Sequence, residues 1–195
     1  MKKKDTSGIE TNFEIRSHDA DICLEEYSRL PKNPLYIILD NLRSAFNVGA
    51  IFRLCDVMRV EGLFLCGYTA FPPNLKLAKT SLGTVDFVPW KRFDATSRAV
   101  SFLHDHSIPV WAAETTSRSK PYDTVVFPPK IGMVFGNEAL GVGREVLELC
   151  DEIVEIPVYG FKNSLNVATS CAVVGCKILE SMRKKDTALL QTRCL

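Results

Sequence analysis

Short apolar runs alternate with segments of helical periodicity along most of the chain. The apolar runs have the length of buried strands and lie at residues 35–39, 62–66, 85–88, 108–113, 131–135 and 153–158. The helical segments between them lie at residues 48–59, 95–106, 144–150 and 165–183. In the first of these helices apolar residues recur every three or four positions, which is typical of one buried face. Strands that alternate with helices predict a parallel α/β sheet with helices on both faces.

The N-terminal segment differs from the rest of the chain. Residues 1–30 are predicted to form a polar arm that ends in a short helix over residues 23–30, and Pro31 and Pro34 interrupt the chain after it. Residues 31–195 are predicted to form a single domain, since a chain of 195 residues can bury a sizeable core.

Composition and charge limit the classes of partner. The chain is 46% hydrophobic and 24% charged, as in ordinary globular proteins, and its net charge is only +1. A surface that binds a long nucleic acid through phosphate contacts alone is usually more basic, so any such surface must be a local patch.

The N-terminus and the cysteines bear on location. The lysines at residues 2–4 are not followed by an apolar stretch, and no run has the length of a membrane span. The seven cysteines form no CxxC pair, and an odd number suits a reducing compartment. A cytoplasmic protein without a metal site is therefore expected.

Three loops after predicted strands carry unusual polar residues, and ligands of parallel sheets bind at such loops. The first loop follows residue 39 and leads into a helix that contains Asn47, Gly49 and Arg53. Gly49 indicates a close approach of the backbone to another group. Arg53 suits a phosphate or carboxylate ligand. A structural salt bridge from Arg53 to Asp56 or Asp40 is an equally good interpretation.

The second loop follows residue 135 and is rich in glycine. It contains Gly136, Asn137, Glu138, Gly141 and Gly143, but it lacks the GK[ST] ending of a P-loop and the GxGxxG spacing. Because Glu138 would repel a pyrophosphate, a nucleoside or a neutral-to-cationic ligand fits better. The alternative is a helix N-terminal turn that Asn137 or Glu138 caps.

The third loop follows residue 158. Ser164 is a candidate cap for the long helix that follows, and Asn166 is expected inside the first turn of that helix. The small residues Ala168, Ala172 and Gly175 indicate tight helix packing or a subunit interface.

Together these loops resemble the three motifs of the SpoU (TrmH) family of RNA 2′-O-methyltransferases, within the SPOUT class. Residues 47–53 (NVGAIFR) are similar to the first motif, residues 136–141 (GNEALG) with Ile156-Pro157-Val158 to the second, and residues 164–167 (SLNV) to the third. The segment 79–83 (KTSLG) is also similar to the family. The resemblance covers residues 35–180 and places three motifs in the same order and spacing.

The resemblance implies more than the periodicity does. It implies a deep C-terminal trefoil knot in which residues 136–143 and 159–167 surround a bent S-adenosylmethionine. It also implies a homodimer whose active site is completed across the subunit interface.

The resemblance further implies roles for individual residues. Arg53 would be the main catalytic residue, Asn47 would position the ribose or Arg53, and Glu138, Ser164 and Asn166 would support the phosphate, Arg53 and the cofactor pocket. The residues implied in cofactor binding are Ala113, Glu114, Thr115, Gly136, Asn137, Gly141, Ile156 and Leu165.

The substrate implied is RNA, with tRNA favoured and ribosomal RNA second, because the chain resembles stand-alone members of the family. Candidate RNA contacts are Lys2–Lys4, Arg43, Lys76, Lys79, Lys91, Arg92, Arg118, Lys162 and residues 183–185. Phe46 and Phe161 are candidates for stacking on a base, although core packing is the expectation for both. The alternatives are a non-catalytic RNA-binding protein of the same fold and a nucleotide-binding oxidoreductase, which the missing GxGxxG disfavours.

Overall fold

The computed structural model describes residues 19–185, and the side chains of residues 19–183. The predicted N-terminal arm up to residue 18 and the RNA contacts proposed for Lys2–Lys4 lie outside these residues. Within them, seven strands form one sheet in the order β3-β2-β1-β6-β4-β7-β5, and every neighbouring pair is parallel. The strands are β1 Asn33–Asp40, β2 Val60–Cys66, β3 Trp90–Phe93, β4 Val110–Ala113, β5 Lys120–Pro121, β6 Ile131–Phe135 and β7 Glu152–Glu155.

Helices cover both faces of the sheet. They are α1 Leu24–Arg29, α2 Ala45–Met58, α3 Leu75–Ser81, α4 Thr96–Asp105, α5 Arg144–Leu149 and α6 Val167–Lys185. The parallel α/β sheet predicted from the sequence is confirmed, and the trefoil knot stays a prediction. None of the helices within residues 19–185 has both the length and the apolar character required to cross a bilayer.

Strand β1 shows why the periodicity was informative at the centre of the sheet. Leu35, Ile37 and Leu39 pack on one face against α2 and α6, whereas Ile38 packs on the other face with Leu103 of α4. A strand buried on both faces has a continuous apolar sequence rather than an alternating one.

The strand predicted at the edge of the sheet was wrong. The apolar residues 85–88 do not form a strand: Thr84–Asp86 form a 3₁₀ turn, and the strand lies at Trp90–Phe93. The first three residues of β3 are exposed at the sheet edge, so no apolar pattern marks them. The short elements α3 and β5 were likewise not predicted, and β7 ends three residues earlier than expected.

Gly49 is explained by helix packing within the chain. An added Cβ at Gly49 would lie 2.1 Å from Thr80 Oγ1 and 2.3 Å from the Leu77 carbonyl oxygen, both of α3. The same hydroxyl of Thr80 donates to the Phe46 carbonyl oxygen at 2.8 Å and ties α3 to α2. The close approach that Gly49 predicted is therefore made to α3.

We expect Gly49→Ala to lower the free energy of unfolding by about 1–3 kcal/mol, because the methyl group overpacks the contact between α2 and α3. Urea denaturation of both proteins measures the difference. Gly160→Ala is the matched control, since an added Cβ there meets nothing within 4 Å. Equal stability of the two variants would contradict the packing role of Gly49.

Candidate active site

The three loops singled out in the sequence lie side by side at the carboxyl edge of the sheet. The second and third loops line a cavity of about 570 Å³, and the first loop lines a groove that adjoins it. A fourth loop, after β4, closes one side of this cavity with Glu114 and Thr115. The cavity therefore lies at the carboxyl ends of the strands, where parallel sheets usually bind their ligands.

The structure places eleven of the thirteen predicted site residues around the cavity. The residues predicted for cofactor binding that line it are Ala113, Glu114, Thr115, Gly136, Asn137, Gly141, Ile156 and Leu165. Glu138, Ser164 and Asn166 line it as well. Asn47 lies in an adjoining groove with Arg43, Ser44, Glu138 and Asn166, so the cavity and the groove share two residues. Arg53 lines neither of them.

The glycines of the second loop allow the chain to close on itself. Asn137 and Gly141 exchange backbone hydrogen bonds of 3.1 and 2.9 Å. An added Cβ at Gly136 would lie 2.3 Å from the Gly141 carbonyl carbon. Gly141 has a φ of +69°, and a Cβ there would lie 2.4 Å from Glu114 Oε2. Both glycines are required by the backbone path, and neither needs a phosphate to explain it.

Asn137 fastens this loop to its neighbours. Its Nδ2 donates to the Asn41 carbonyl oxygen at 2.7 Å and to Tyr68 Oη at 2.6 Å. Its Oδ1 accepts from the backbone N–H groups of Ala139 and Leu140. Asn137 therefore caps its own turn and does not cap the helix that begins at Arg144, as the alternative interpretation had it.

Buried Asp40, which the sequence did not single out for this role, holds the start of α5 instead. Its Oδ2 accepts from the backbone N–H of Gly143 at 3.0 Å, and its Oδ1 accepts from Thr96 Oγ1 at 2.5 Å. Asp40 is the last residue of β1, and its side chain is 4% exposed. A carboxylate directly at a strand end was the signal that could have identified it.

Glu138 bridges the second loop to the beginning of α2. One carboxylate oxygen accepts from the backbone N–H of Arg43 at 2.8 Å. The other accepts from the backbone N–H of Ser44 at 3.1 Å and from Asn47 Nδ2 at 2.8 Å. A negative charge at this position also interacts favourably with the positive end of the helix dipole.

The pKa of the Glu138 carboxyl is lowered. Partial burial raises this pKa, but the hydrogen bonds from Arg43, Asn47 and Ser44 outweigh it because they stabilise the charged form. Glu138 is therefore a permanent anion at neutral pH with both oxygens engaged.

Asn166 connects the third loop to the same group of residues. Its Nδ2 donates to Asn47 Oδ1 at 3.2 Å, and its own Oδ1 accepts from the backbone N–H of Ala168 at 2.9 Å. Asn166 thus caps α6, and Ser164, the expected cap, is exposed and bonds only to Asn163 among the described residues. The expectation that Asn166 lies inside the first helical turn was wrong by one position.

Arg53 does not pair with either of the carboxylates proposed for it. The Asp56 carboxylate accepts from Tyr27 Oη at 2.6 Å, and Asp40 is engaged as described. Arg53 is exposed on α2 and makes no ion pair within residues 19–183. Its guanidinium is available to a group outside the described chain.

Exposure corrects one further expectation, and packing agrees with another. Phe46 and Phe161 were expected in the core, but they are 45% and 100% exposed. Gly175, in contrast, packs within the chain, since an added Cβ would lie 2.7 Å from Met58 Sδ. The small-residue face of α6 therefore packs on α2, at least at this position.

The cavity has an acidic character. Glu114 accepts from the backbone N–H groups of Thr115 at 2.8 Å and Val142 at 2.9 Å. Glu155, which sequence reasoning missed, accepts from Ser119 Oγ at 2.9 Å. With Glu138, three carboxylates border the cavity, which favours a cationic ligand over an anionic one.

Among residues 19–185, no group of three or more His, Cys, Asp or Glu side chains is placed to hold a metal ion.

The sequence profile of the SpoU rRNA Methylase family matches residues 34–176, which include all three loops. The chain belongs to this family. Among the relatives of this SpoU family protein is YacO of Bacillus subtilis, which is assigned to the TrmH family of tRNA/rRNA methyltransferases. The two are 26% identical over 80% of this chain and 61% of that relative.

Solved structures share the fold. An rRNA methyltransferase of Sinorhizobium meliloti with bound AdoMet is 25% identical and superposes with a TM-score of 0.69, over 80% of this chain and 58% of that one. A protein described for 2-OH methylation of C/U34 on tRNA is 23% identical with a TM-score of 0.64, over 78% of this chain and 97% of that one. The chain thus spans about three fifths of the length of the B. subtilis relative and of the S. meliloti enzyme.

Because the pKa of Glu138 is lowered on folding, its contribution to stability is fully present above the ordinary value of 4.5 and is lost as the pH falls through the lowered value. We therefore expect the stability difference between the wild type and Glu138→Gln to shrink as the pH is lowered through this range. Urea denaturation at a series of pH values measures it. Glu148→Gln, an exposed position on α5, is the control. A difference for Glu138→Gln that is constant with pH would contradict the assignment.

Proposed function

We propose that this SpoU family protein transfers a methyl group from S-adenosylmethionine to the 2′-hydroxyl of a ribose in RNA, with tRNA as the substrate class. The observation that carries the proposal is the junction between the cavity and the groove, which share Glu138 and Asn166. A cofactor in the cavity and a ribose in the groove would then lie next to each other, as a direct transfer requires.

The residues present fit the cofactor. The cavity of about 570 Å³ is within the usual size range of small-molecule sites. Its acidic border suits the positive charges of a sulfonium and an ammonium group. Backbone groups at Gly136, Ile156 and Leu165 would hold the nucleoside, and residues 113–115 would close over it. The bound cofactor supplies a methyl group that is already activated on a positively charged sulfur.

In the groove, Glu138 acts as a positioning residue. Its two oxygens already accept three hydrogen bonds, and its lowered pKa makes it a poor proton acceptor. Asn47 uses one amide hydrogen for Glu138 and its oxygen for Asn166, which leaves its second amide hydrogen free to orient the ribose. The first two loops and α6 would in this way hold the ribose in one orientation.

We propose that Arg53 serves the active site of a second copy of the chain. Its guanidinium is exposed and lines neither the cavity nor the groove of its own chain. Large apolar side chains that line the cavity are exposed in the single chain, namely Leu140, Val158 and Leu165. Tyr159 and Phe161 of the third loop are exposed as well. A homodimer would cover these side chains and bring Arg53 to the partner's groove, against the phosphate of the target nucleotide. Because arginine has a very high pKa, it can assist removal of the 2′-hydroxyl proton only together with that phosphate.

The choice of tRNA over ribosomal RNA is supported by one fold neighbour, which is described for 2-OH methylation of C/U34 on tRNA. Both RNA classes belong in the assay, because the B. subtilis relative is assigned to tRNA/rRNA methyltransferases.

The first test incubates the protein with labelled S-adenosylmethionine and, separately, unfractionated tRNA and ribosomal RNA. We expect label in tRNA, recovered after nuclease digestion as a 2′-O-methylated nucleoside. Label on a base instead of a ribose would contradict the proposed reaction. RNA and cofactor binding without any transfer would favour the non-catalytic alternative.

The second test concerns Arg53. We expect Arg53→Ala to reduce methyl transfer by at least about a hundredfold while cofactor affinity is nearly unchanged.

A mixing experiment tests whether Arg53 acts across a dimer. Ser170 lines the cavity, so Ser170→Trp should block cofactor binding. If Arg53 acts across the dimer, mixing the two inactive variants before refolding should restore about one quarter of the wild-type rate, since half of the dimers then contain one intact site. Absence of any restoration would place Arg53 in its own chain's site.

A further inference from the structure

Tyr68 is an exposed aromatic residue with a fixed position beside the groove. It is 61% exposed, yet its hydroxyl accepts from Asn137 Nδ2 at 2.6 Å. Its backbone N–H donates to Asn41 Oδ1 at 3.2 Å. The ring is thus anchored at both ends, at one of them by Asn137, which lines the cavity. Neither core packing nor the reaction proposed above accounts for its exposure.

A second aromatic residue follows on the same loop. Phe71 is 38% exposed, and the guanidinium carbon of Arg92, from strand β3, lies 4.4 Å from the centre of its ring. Stacking on a ring orients a guanidinium while the hydrogen-bond donors at its edge stay available. Arg92 is exposed and makes no ion pair within residues 19–183.

The loop that carries Tyr68 and Phe71 joins the groove to the edge of the sheet. At its start, the backbone N–H of Gly67 donates to the Phe93 carbonyl oxygen at 3.0 Å, next to Arg92. A little further on, Thr69 Oγ1 accepts from the backbone N–H of Leu42 at 2.9 Å, next to Arg43. The surface formed by Arg43, Tyr68, Phe71 and Arg92, here called the aromatic strip, therefore continues from the groove.

The chemistry of the aromatic strip is that of a single-stranded RNA surface. Unstacked bases bind to aromatic rings, and arginine side chains bind the phosphates between them. The nearby exposed carboxylate of Asp94 is 3.9 Å from Arg98 and is partly neutralised by it. A near-neutral protein requires a local patch to hold a nucleic acid, and the aromatic strip is such a patch.

We propose that the aromatic strip binds the RNA that flanks the target nucleotide, with a base stacked on Tyr68 and a phosphate paired with Arg92. Phe71 acts by orienting Arg92. This inference rests on the proposed function, because it assigns the path by which the RNA substrate leaves the groove.

The test measures the affinity of each variant for fluorescently labelled unfractionated tRNA, its KM for tRNA in methyl transfer, and its cofactor affinity. We expect Tyr68→Leu to weaken RNA binding and raise KM by roughly tenfold, because one stacked base is lost. Tyr68→Phe keeps the ring and should stay within roughly twofold of the wild type. Because both variants lose the hydrogen bond to Asn137, their cofactor affinities should equal each other.

The salt dependence separates Arg92 from Tyr68. Arg92→Gln should reduce the slope of log affinity against log salt concentration by about 0.7, the value for one phosphate contact on a single strand, whereas Tyr68→Leu should leave the slope unchanged. Lys130→Gln is the matched control. It removes one exposed positive charge that also lies over an aromatic ring, that of Tyr36. Lys130 directly precedes β6, so this charge lies at the amino end of a strand and away from the carboxyl ends that carry the site.

The outcomes distinguish this inference from the proposed function. Normal RNA affinity and KM in Tyr68→Leu and Arg92→Gln, with normal methyl transfer by the wild type, would overturn the aromatic strip alone. The same holds if Lys130→Gln weakens binding as much as Arg92→Gln, or if Tyr68→Leu loses more cofactor affinity than Tyr68→Phe. A wild-type protein that neither binds nor methylates RNA would overturn both proposals.

Discussion

The carboxylate of Glu138 is the interaction on which the geometry of the site depends. It accepts hydrogen bonds from two backbone N–H groups at the start of α2 and from the side chain of Asn47. Asn47 in turn accepts from Asn166, which caps α6. One charge-assisted network thereby joins Asn47 to Glu138 and Asn166, which lie 91 and 119 residues further along the chain. The cavity and the groove exist as neighbours because this network fixes the loops that form them.

The backbone around this network leaves little room for change. Gly136 and Gly141 lie where any side chain would strike the loop itself or Glu114. Asp40, buried beneath the loop, accepts from the start of α5 and from Thr96. A buried carboxylate is tolerated only when it is hydrogen-bonded, and removal of its partners would leave a costly charge. The loops of the site are therefore built as rigid parts of the sheet edge, which suits a reaction that depends on alignment.

Sequence reasoning located the centre of the fold and the residues of the cavity, for physical reasons that also explain its errors. Strand β1 is buried on both faces and has a continuous apolar sequence, whereas β3 lies at the exposed edge and has none. Asn137 and Ser164 were candidate caps because several kinds of polar side chain can cap a helix. In the folded chain Asp40 accepts from the start of α5 and Asn166 caps α6. Only the three-dimensional path of the chain decides which polar side chain reaches a helix end. The position of Arg53 outside the cavity depends on how helices pack, and motif spacing along the chain does not encode it.

The net charge of +1 conceals a separation of charge that matters for the proposed reaction. Three carboxylates, those of Glu114, Glu138 and Glu155, border the cavity, and hydrogen bonds hold each of them in place. The exposed side chains of Arg43 and Arg92 lie outside it and have no carboxylate partner among the described residues. A cationic cofactor and a polyanionic substrate place opposite demands on one site, and a uniformly basic or acidic protein would meet only one of them. Negative charges at the cavity and positive charges beside it meet both demands. The net charge of the chain then comes close to zero.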